Sequence, residues 1–361
     1  MARTGPTSGD VAKLAKVSRP TVNRVLGGYG YASEEATARV LAAAEQLGYR
    51  PNAAARTLLT GRSRSVGIVV VDIANPFFSS IVSAVCDRML TAGYETFIMS
   101  SDGDTAKERI AVDAMLSKQV EGMIVAPTSV TQTDHLRAVG AAGLPLVLID
   151  RVPSNVEGDA IDIDNVAAGY DATSRLLAEG RRRVAIISHG QGGAETDWAH
   201  LDDVDRGRLN PSALRLLGYL QAYRDAGLKP NPRLVQVVPA QTKDEARRAS
   251  TRLLDAGMDG LFVTDNVLSI GAYLTLAQAK VRLPDELSLI VFDDVDWTAL
   301  TTPPLTVVSQ PFQTIGEESA SRLLQRLQGT PENASSERHR VPHEIVVRGS
   351  TRPIPTTGVD R

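Results

Sequence analysis

The sequence predicts an α/β protein: a small all-α head followed by a large body of parallel sheets with helices on both faces. Three observations carry this. From residue 65 onward, short Val/Ile-rich runs alternate with helix-length amphipathic stretches, as buried parallel strands joined by helical crossovers require. Before residue 48 the apolar residues recur at helical spacing. Charge divides at the same place. Residues 1–62 hold nine basic and four acidic side chains, a net of +5, and the chain total of −3 leaves −8 for the remainder.

With 361 residues, 43% apolar and 22% charged, the chain is no disordered polypeptide and has material for two or three domains. No apolar run approaches the ~18 residues of a membrane span. The first residues, MARTGPTSGD, carry no apolar segment, so a cytoplasmic protein is expected. The single cysteine, Cys86, excludes an intramolecular disulfide framework and a four-Cys zinc site.

In DVAKLAKVSRPTVNRVL (10–26), Val11, Leu14 and Ala15 form one helical face and Val22, Val25 and Leu26 another, with a break at Val17-Ser18. Two short helices around a tight turn make a helix-turn-helix. Ser18 suits the N-cap of the second helix and Pro20 its first turn. Ser18, Arg19, Pro20, Thr21, Asn23 and Arg24 are the candidate DNA contacts. The N-terminal end of such a helix enters a major groove, where Arg reads guanine and Asn reads adenine. A third helix is expected at 33–47, capped by Ser33. Glu34 and Glu35 stand at its positive end, and Val40, Leu41, Ala44 and Leu47 on one face. The segment YRPNAAARTLLTGRS (49–63) then offers Pro51 as a first helical position and Gly61 as a stop. Taken alone, it reads as a connector.

Together, DVAKLAKVSRPTVNRVLGG and EQLGYRPNAAARTLLTGRS resemble the head and hinge of the lactose repressor (LacI/GalR) family of transcriptional regulators. The resemblance implies that the hinge, residues 51–62, folds into a helix on double-stranded operator DNA. Leu58 would wedge into the minor groove beside its symmetry mate, with Asn52, Ala55 and Arg56 on the same segment, unstacking a base step and bending the duplex. It also implies a homodimer on a pseudo-palindromic operator. Two residues depart from the family pattern. Lys16 takes a turn position where Gly is usual, and a left-handed backbone there costs roughly 1 kcal/mol. Asn23 replaces the commoner Ser.

In the body, the runs SVGIVVVDI, ETFIMSSD, EGMIVAP, LPLVLID, AIDID, RVAIIS, LVQVVP, GLFVTD and LSLIVFDD suffice for two doubly wound lobes. After Asn75-Pro76, Phe77, Phe78, Ile81, Val82, Val85, Met89 and Leu90 recur at helical spacing. The expected division is a head at 1–50, a hinge at 51–62 and a body at 63–350. Lobe 1 takes 63–160 plus 305–327, and lobe 2 takes 161–304 plus 328–350.

Open α/β sheets bind ligands outside the carboxyl ends of their strands. Asp102, Asp150, Asp265 and Asp293 each end a predicted strand and are candidates on that ground, although a polar residue there equally reads as a helix cap. NPFF (75–78), IDR (149–151), DNVAAG (164–169), FDD (292–294) and PPLTVVSQP (303–311) resemble the effector domain of the same family, which is similar to periplasmic sugar-binding proteins. This implies a periplasmic-binding-protein-like body holding a small sugar-type effector through Phe77, Phe78, Asp150, Arg215, Asp265, Asp293 and Gln310. Arg151 joins them as a basic cleft candidate. Phe77 and Phe78 are adjacent on a helix, so at least one is expected in the core. Asp265-Asn266 reverses the order usual in the family.

The loop 189–212 is long for a compact domain and unlike its family counterpart. Within it, Trp198 reads either as a ligand stack or as an exposed ring. Asp202, Asp203 and Asp205 lack the spacing of a calcium loop. No metal and no cofactor are expected.

Other readings fare worse. SHGQGG resembles a nucleotide-binding turn, but Glu195 stands where its last glycine is needed. No hydrolase, zinc-protease or Walker signature appears. The five histidines have no ligand spacing, and Cys86 sits in an amphipathic helix, so an enzyme is not expected. A free-standing ligand-binding protein fits the body but not the basic head. A purine or a phosphorylated metabolite acting as corepressor stays open beside a sugar. The tail, 329–361, lacks heptads, which favours a dimer over a tetramer. The expectation is a homodimeric repressor of carbohydrate uptake or catabolic genes.

Overall fold

The computed structural model describes residues 5–27, 30–49, 57, 61–190, 198–329 and 335–353. The chain divides into two units, Met1–Arg64 and Ser65–Arg361.

Among its described residues the first unit includes the helices α1 (Ser8–Ala15), α2 (Arg19–Gly27) and α3 (Glu34–Leu47). Thr7 and Asp10 form a capping box at the start of α1, and Ser33 caps α3. Lys16 adopts the left-handed conformation, φ 54 and ψ 45, its N–H bonded to the carbonyls of Ala12 and Lys13. The turn thus keeps the backbone expected of Gly with a lysine in place. Val11, Ala12, Ala15, Val22, Val40, Ala43 and Ala44 form the core. Leu14 and Leu41, expected on the inner faces, are instead 42% and 52% exposed. At 100° per residue each lies roughly a quarter turn or more from the centre of its helix's buried stripe, and helices this short bury only a narrow one.

Two six-stranded sheets build the second unit. The first contains β1 (Ser65–Val70), β2 (Glu95–Ser100), β3 (Met123–Val125), β4 (Leu146–Ile149), β5 (Asp159–Asp162) and β11 (Arg338–Arg340). Its order is β11-β5-β4-β3-β1-β2, all parallel. The second contains β6 (Val184–His189), β7 (Val235–Val238), β8 (Gly260–Val263), β9 (Ser288–Phe292), β10 (Thr306–Ser309) and β12 (Glu344–Val346). It runs β12-β10-β9-β8-β6-β7, with only β12 antiparallel. In both sheets the strand order reverses beside the first strand, β1 or β6, as in doubly wound folds. The helices are α4 (Pro76–Thr91), α5 (Thr105–Ser117), α6 (Asp134–Ala141), α7 (Asn165–Ala178), α8 (Pro211–Asp225), α9 (Lys243–Asp255), α10 (Asn266–Gln278), α11 (Asp296–Leu300) and α12 (Phe312–Leu327).

The lobe boundaries differ from expectation in three places. β5 spans the expected cut at 160 and pairs wholly within the first sheet. β10, assigned by sequence to lobe 1, pairs with β9 in the second sheet, where Leu305, Val307 and Val308 are buried. Only the helix after it, α12, returns to the first lobe. There Phe312 meets Phe77 edge-on at 5.4 Å, and Gly316 lets α12 touch α4, since a Cβ on it would stand 2.6 Å from that of Ala84. The tail, expected in lobe 2, gives β11 to the first sheet and β12 to the second. β11 reads Arg-His-Arg and is exposed throughout, so no apolar signal marks it.

Leu90 of α4, expected on the inner face, is 75% exposed. In the long loop, Trp198–Asp203 and Arg206–Arg208 form 3-10 turns. No helix among the described residues is long and apolar enough to cross a membrane.

Candidate functional site

In the head, Ser18 Oγ accepts the Thr21 N–H at 3.3 Å and lies 2.8 Å from Thr21 Oγ1, which starts α2. Ser18, Arg19, Pro20 and Arg24 are exposed, Thr21 and Asn23 are half-buried, and Val22 between them is fully buried. The core therefore pins α2 through Val22 while its first turns stay open to solvent. Arg19 donates to Ser8 Oγ at 3.4 Å, and Arg24 to the carbonyls of Pro20 and Tyr31 at 3.4 and 3.5 Å. These are long bonds, readily exchanged for phosphate oxygens or base edges. Asn52, Ala55, Arg56 and Leu58 lie outside the described residues.

In the body, a cavity of about 590 Å³ opens at the carboxyl ends of the two sheets. All nine cleft candidates border it: Phe77, Phe78, Asp102, Asp150 and Arg151 from the first lobe, Arg215, Asp265, Asp293 and Gln310 from the second. Asp102, Asp150 and Asp293 sit in left-handed backbone just past their strands, with φ of 51, 64 and 74. Aspartate tolerates that region better than most residues, and such strain clusters at binding sites.

Arg215 is the centre of the second lobe's wall. It is 4% exposed, and its Nε donates to Asn165 Oδ1 at 2.8 Å while Nη1 donates to the Thr264 carbonyl at 2.5 Å. Its guanidinium lies 3.4 Å over the Phe292 ring. Gly169 lets α7 and α8 close here, since a Cβ on it would fall 2.0 Å from the Arg215 carbonyl oxygen. A buried cation is costly unless it is compensated. Burial lowers the Arg215 pKa, and the charges of Asp293, Asp150 and Asp265 oppose that fall.

The carboxylates bear the converse cost. Burial lifts Asp293 from the ordinary 3.8 to about 6, against the pull of Arg215 and of the Gln310 amide that donates to its Oδ1 at 2.7 Å. Burial raises Asp150 and Asp265 as well. Arg151 is held by the carbonyls of Pro127 and Thr128 at 2.9 and 3.2 Å.

For Asp265 the cap and the wall position are both real. Its Oδ1 accepts the Leu268 N–H at 2.9 Å as N-cap of α10, while its buried Oδ2 makes no hydrogen bond. Asn266, the reversed partner, accepts from Trp297 Nε1 instead. Asp102 stands at the rim, its side chain 58% exposed and paired with Lys107 at 2.7 Å. Both phenylalanines are core residues, each 5% exposed, with ring centroids 4.8 Å apart. Trp198 is absent from the cavity wall and packs partly buried against the hydrophobic core.

Sequence reasoning missed His189, the last residue of β6, which lines the cleft. Burial, with Arg151 and Arg215 nearby, pushes its pKa down to about 3, so the ring is neutral. Its position at a strand end was a usable signal. Glu108 and His135 were missed too. Both are buried, with Glu108 Oε1 2.5 Å from His135 Nε2 and Oε2 accepting the Thr128 N–H at 2.5 Å. This pair fixes the segment whose carbonyls hold Arg151. No local pattern announces it.

Carboxylates, an amide and a guanidinium around one cavity form paired hydrogen bonds with vicinal hydroxyls. Five aspartates on the wall (Asp72, Asp102, Asp150, Asp265, Asp293) against Arg151 and Arg215 disfavour an anionic ligand.

Comparison with known proteins matches each unit. Residues 8–52 match the bacterial regulatory proteins of the lacI family, and residues 173–351 match the periplasmic binding protein-like domain. The chain is 29% identical over 360 residues to the HTH-type transcriptional repressor CytR of Escherichia coli, covering 98% of each. It is 30% identical over 347 residues to the ribose operon repressor of Halalkalibacterium halodurans, covering 95% of this chain and 96% of that one. Its fold matches the transcriptional regulator CelR–cellobiose complex with a TM-score of 0.68 at 27% identity, over 96% of this chain and 99% of that one. Since a helix-turn-helix head and a two-lobed body are here matched along nearly their whole length by repressors, the chain belongs to the lacI family of bacterial regulatory proteins.

Proposed function

We propose that the protein is a cytoplasmic, homodimeric repressor that binds a pseudo-palindromic operator and is released by a neutral, polyhydroxylated sugar-type effector. Arg19, Pro20, Asn23 and Arg24 read bases in the major groove of each half-site, with Ser18 and Thr21 beside them, and Leu58 wedges with its mate at the operator centre. The observation that carries the effector class is the buried set Arg215, Asp293, Asp265 and Gln310 facing Asp150 and Arg151 across one cleft. Its carboxylate excess favours a neutral sugar over a phosphorylated metabolite. The names of relatives point the same way: a ribose operon repressor, and a regulator in complex with cellobiose. Leu90, Ile98 and Ile110 are exposed around the edge strand β2 and support a second copy of the chain there. Effector closes the lobes, and closure shifts one first lobe against its mate until the hinges no longer pair. Such a coupling is typically 1–3 kcal/mol.

The test is selection of bound duplexes from a random pool at near-physiological salt, then release of the winning duplex by a panel of sugars and sugar phosphates. A palindrome with a flexible central step, released by a neutral sugar, is the expected result. Release by phosphorylated compounds alone would overturn the effector class, and the absence of any palindrome would overturn the dimeric operator reading.

A further inference from the structure

We propose that His189 and Asp265 together recognise a single ligand hydroxyl, so that His189 determines which hydroxyl pattern the cleft accepts. The proposal deepens the sugar reading above and rests on it. His189 ends β6 and Asp265 follows β8, the neighbouring strands flanking the point where the second sheet's order reverses. Ligands of doubly wound sheets settle at that point. His189 Nδ1 and Asp265 Oδ2 stand 3.8 Å apart, too far for a direct hydrogen bond. Both atoms are buried, and neither has a hydrogen-bond partner. An oxygen placed about 2.8 Å from each fits the separation.

The chemistry of the two atoms narrows what that oxygen is. A carboxylate oxygen only accepts, so the group between them donates to Asp265. The ring, desolvated and flanked by Arg151 and Arg215, is neutral, and the Asp265 carboxylate 3.8 Å from Nδ1 favours the tautomer with its proton there, so the same group accepts from Nδ1–H. A hydroxyl does both. An ether oxygen cannot donate, a methylene does neither, and a phosphate or carboxylate is repelled by Asp265. Arg151 Nε is a further buried cleft atom without a hydrogen bond. It is a donor on the first lobe, 3.8 Å from Asp150 Oδ2.

The experiment is isothermal titration of the full chain with D-ribose, D-xylose, D-glucose and cellobiose, each beside its monodeoxy analogues, on wild type, His189→Leu and His189→Asn. One parent sugar is expected to bind wild type and to lose about tenfold or more when one particular hydroxyl is removed. His189→Leu should bind that parent and that deoxy analogue alike, while discriminating normally at the other positions. His189→Asn, polar at the same place, should recover part of the lost selectivity. Circular dichroism checks both variants, and if the leucine variant does not fold, the asparagine variant carries the same criterion by a smaller selectivity loss. Undiminished selectivity at every hydroxyl in a variant overturns the proposal and leaves the sugar reading standing. Failure of all four sugars to bind wild type overturns both.

Discussion

Asp293→Asn is expected to make the effector-free protein more stable at pH 7. The carboxyl is 5% exposed, and burial raises it from 3.8 to about 6. A group whose folded pKa is raised binds its proton more tightly in the native state, so stability falls as pH climbs from the unfolded value through the folded one. At about 1.4 kcal/mol for each tenfold change in proton affinity, the ionised carboxylate costs about 3 kcal/mol at pH 7. Asparagine removes that cost and fits the site. It keeps the oxygen that accepts from Gln310 at 2.7 Å and tolerates φ 74 at least as well as aspartate. Arg215 loses one of its three nearby carboxylates, which offsets part of the gain, so a net of about 1–3 kcal/mol is expected.

The assay is urea unfolding of both proteins from pH 4.5 to 8. His189, held down to about 3, contributes the opposite slope, because below 6.5 the unfolded chain takes up a proton that the native ring refuses. The difference between the two proteins therefore isolates Asp293. It should be small near pH 4.5 and grow through pH 6 in favour of asparagine, while sugar binding falls. A difference independent of pH, or an asparagine variant less stable at pH 7, would refute the reasoning.

Lys16→Gly should stabilise the head by about 1 kcal/mol, since φ 54 is strained for lysine and free for glycine. Slower amide hydrogen exchange at Val11 and Val22, by about fivefold, is the measure, and unchanged exchange would count against strain at the turn. Leu58→Ala should weaken specific operator binding by roughly tenfold or more and leave nonspecific binding nearly unchanged; equal losses in a mobility-shift titration would refute the wedge. Glu108→Ala strips the partners from His135 and the Thr128 N–H and should cost about 3–5 kcal/mol in urea unfolding. The double change Glu108→Met with His135→Leu should cost less than that single change; a double variant at least as unstable would show that the hydrogen-bonded pair itself is stabilising.

What can be read from the sequence is whatever local pattern encodes. The runs ending at Asp150 and Asp293 are apolar and buried, and a carboxylate after such a run must stand at a strand's carboxyl end, so both are legible from the residues alone. Arg215 came from the family pattern. Its setting depends on Asn165, fifty residues earlier, and on Gly169 opposite its backbone, which no window around ALRLLGY contains. Glu108 failed for a different reason. In TAKERIAVDAMLS a charged residue reads as solvent face, and only its distant partners, His135 on another helix and the Thr128 N–H, explain why it is fully buried. β10 was misplaced because a strand's sheet is chosen by its neighbour β9, whereas its own apolar pattern says only that it is buried. The misses therefore lie where one residue's energy depends on a distant partner.

The cleft also gathers several departures from local rules in one place. It carries aspartates in left-handed backbone, carboxyls raised by burial, and polar atoms without hydrogen bonds. The raised carboxyls and the unpaired polar atoms are destabilising without a ligand, and a hydroxyl-rich one can pair them. If effector binding pairs them, part of its free energy comes from the cost that the cleft's buried polar groups carry, and the asparagine variant should show it as stability gained and affinity lost together.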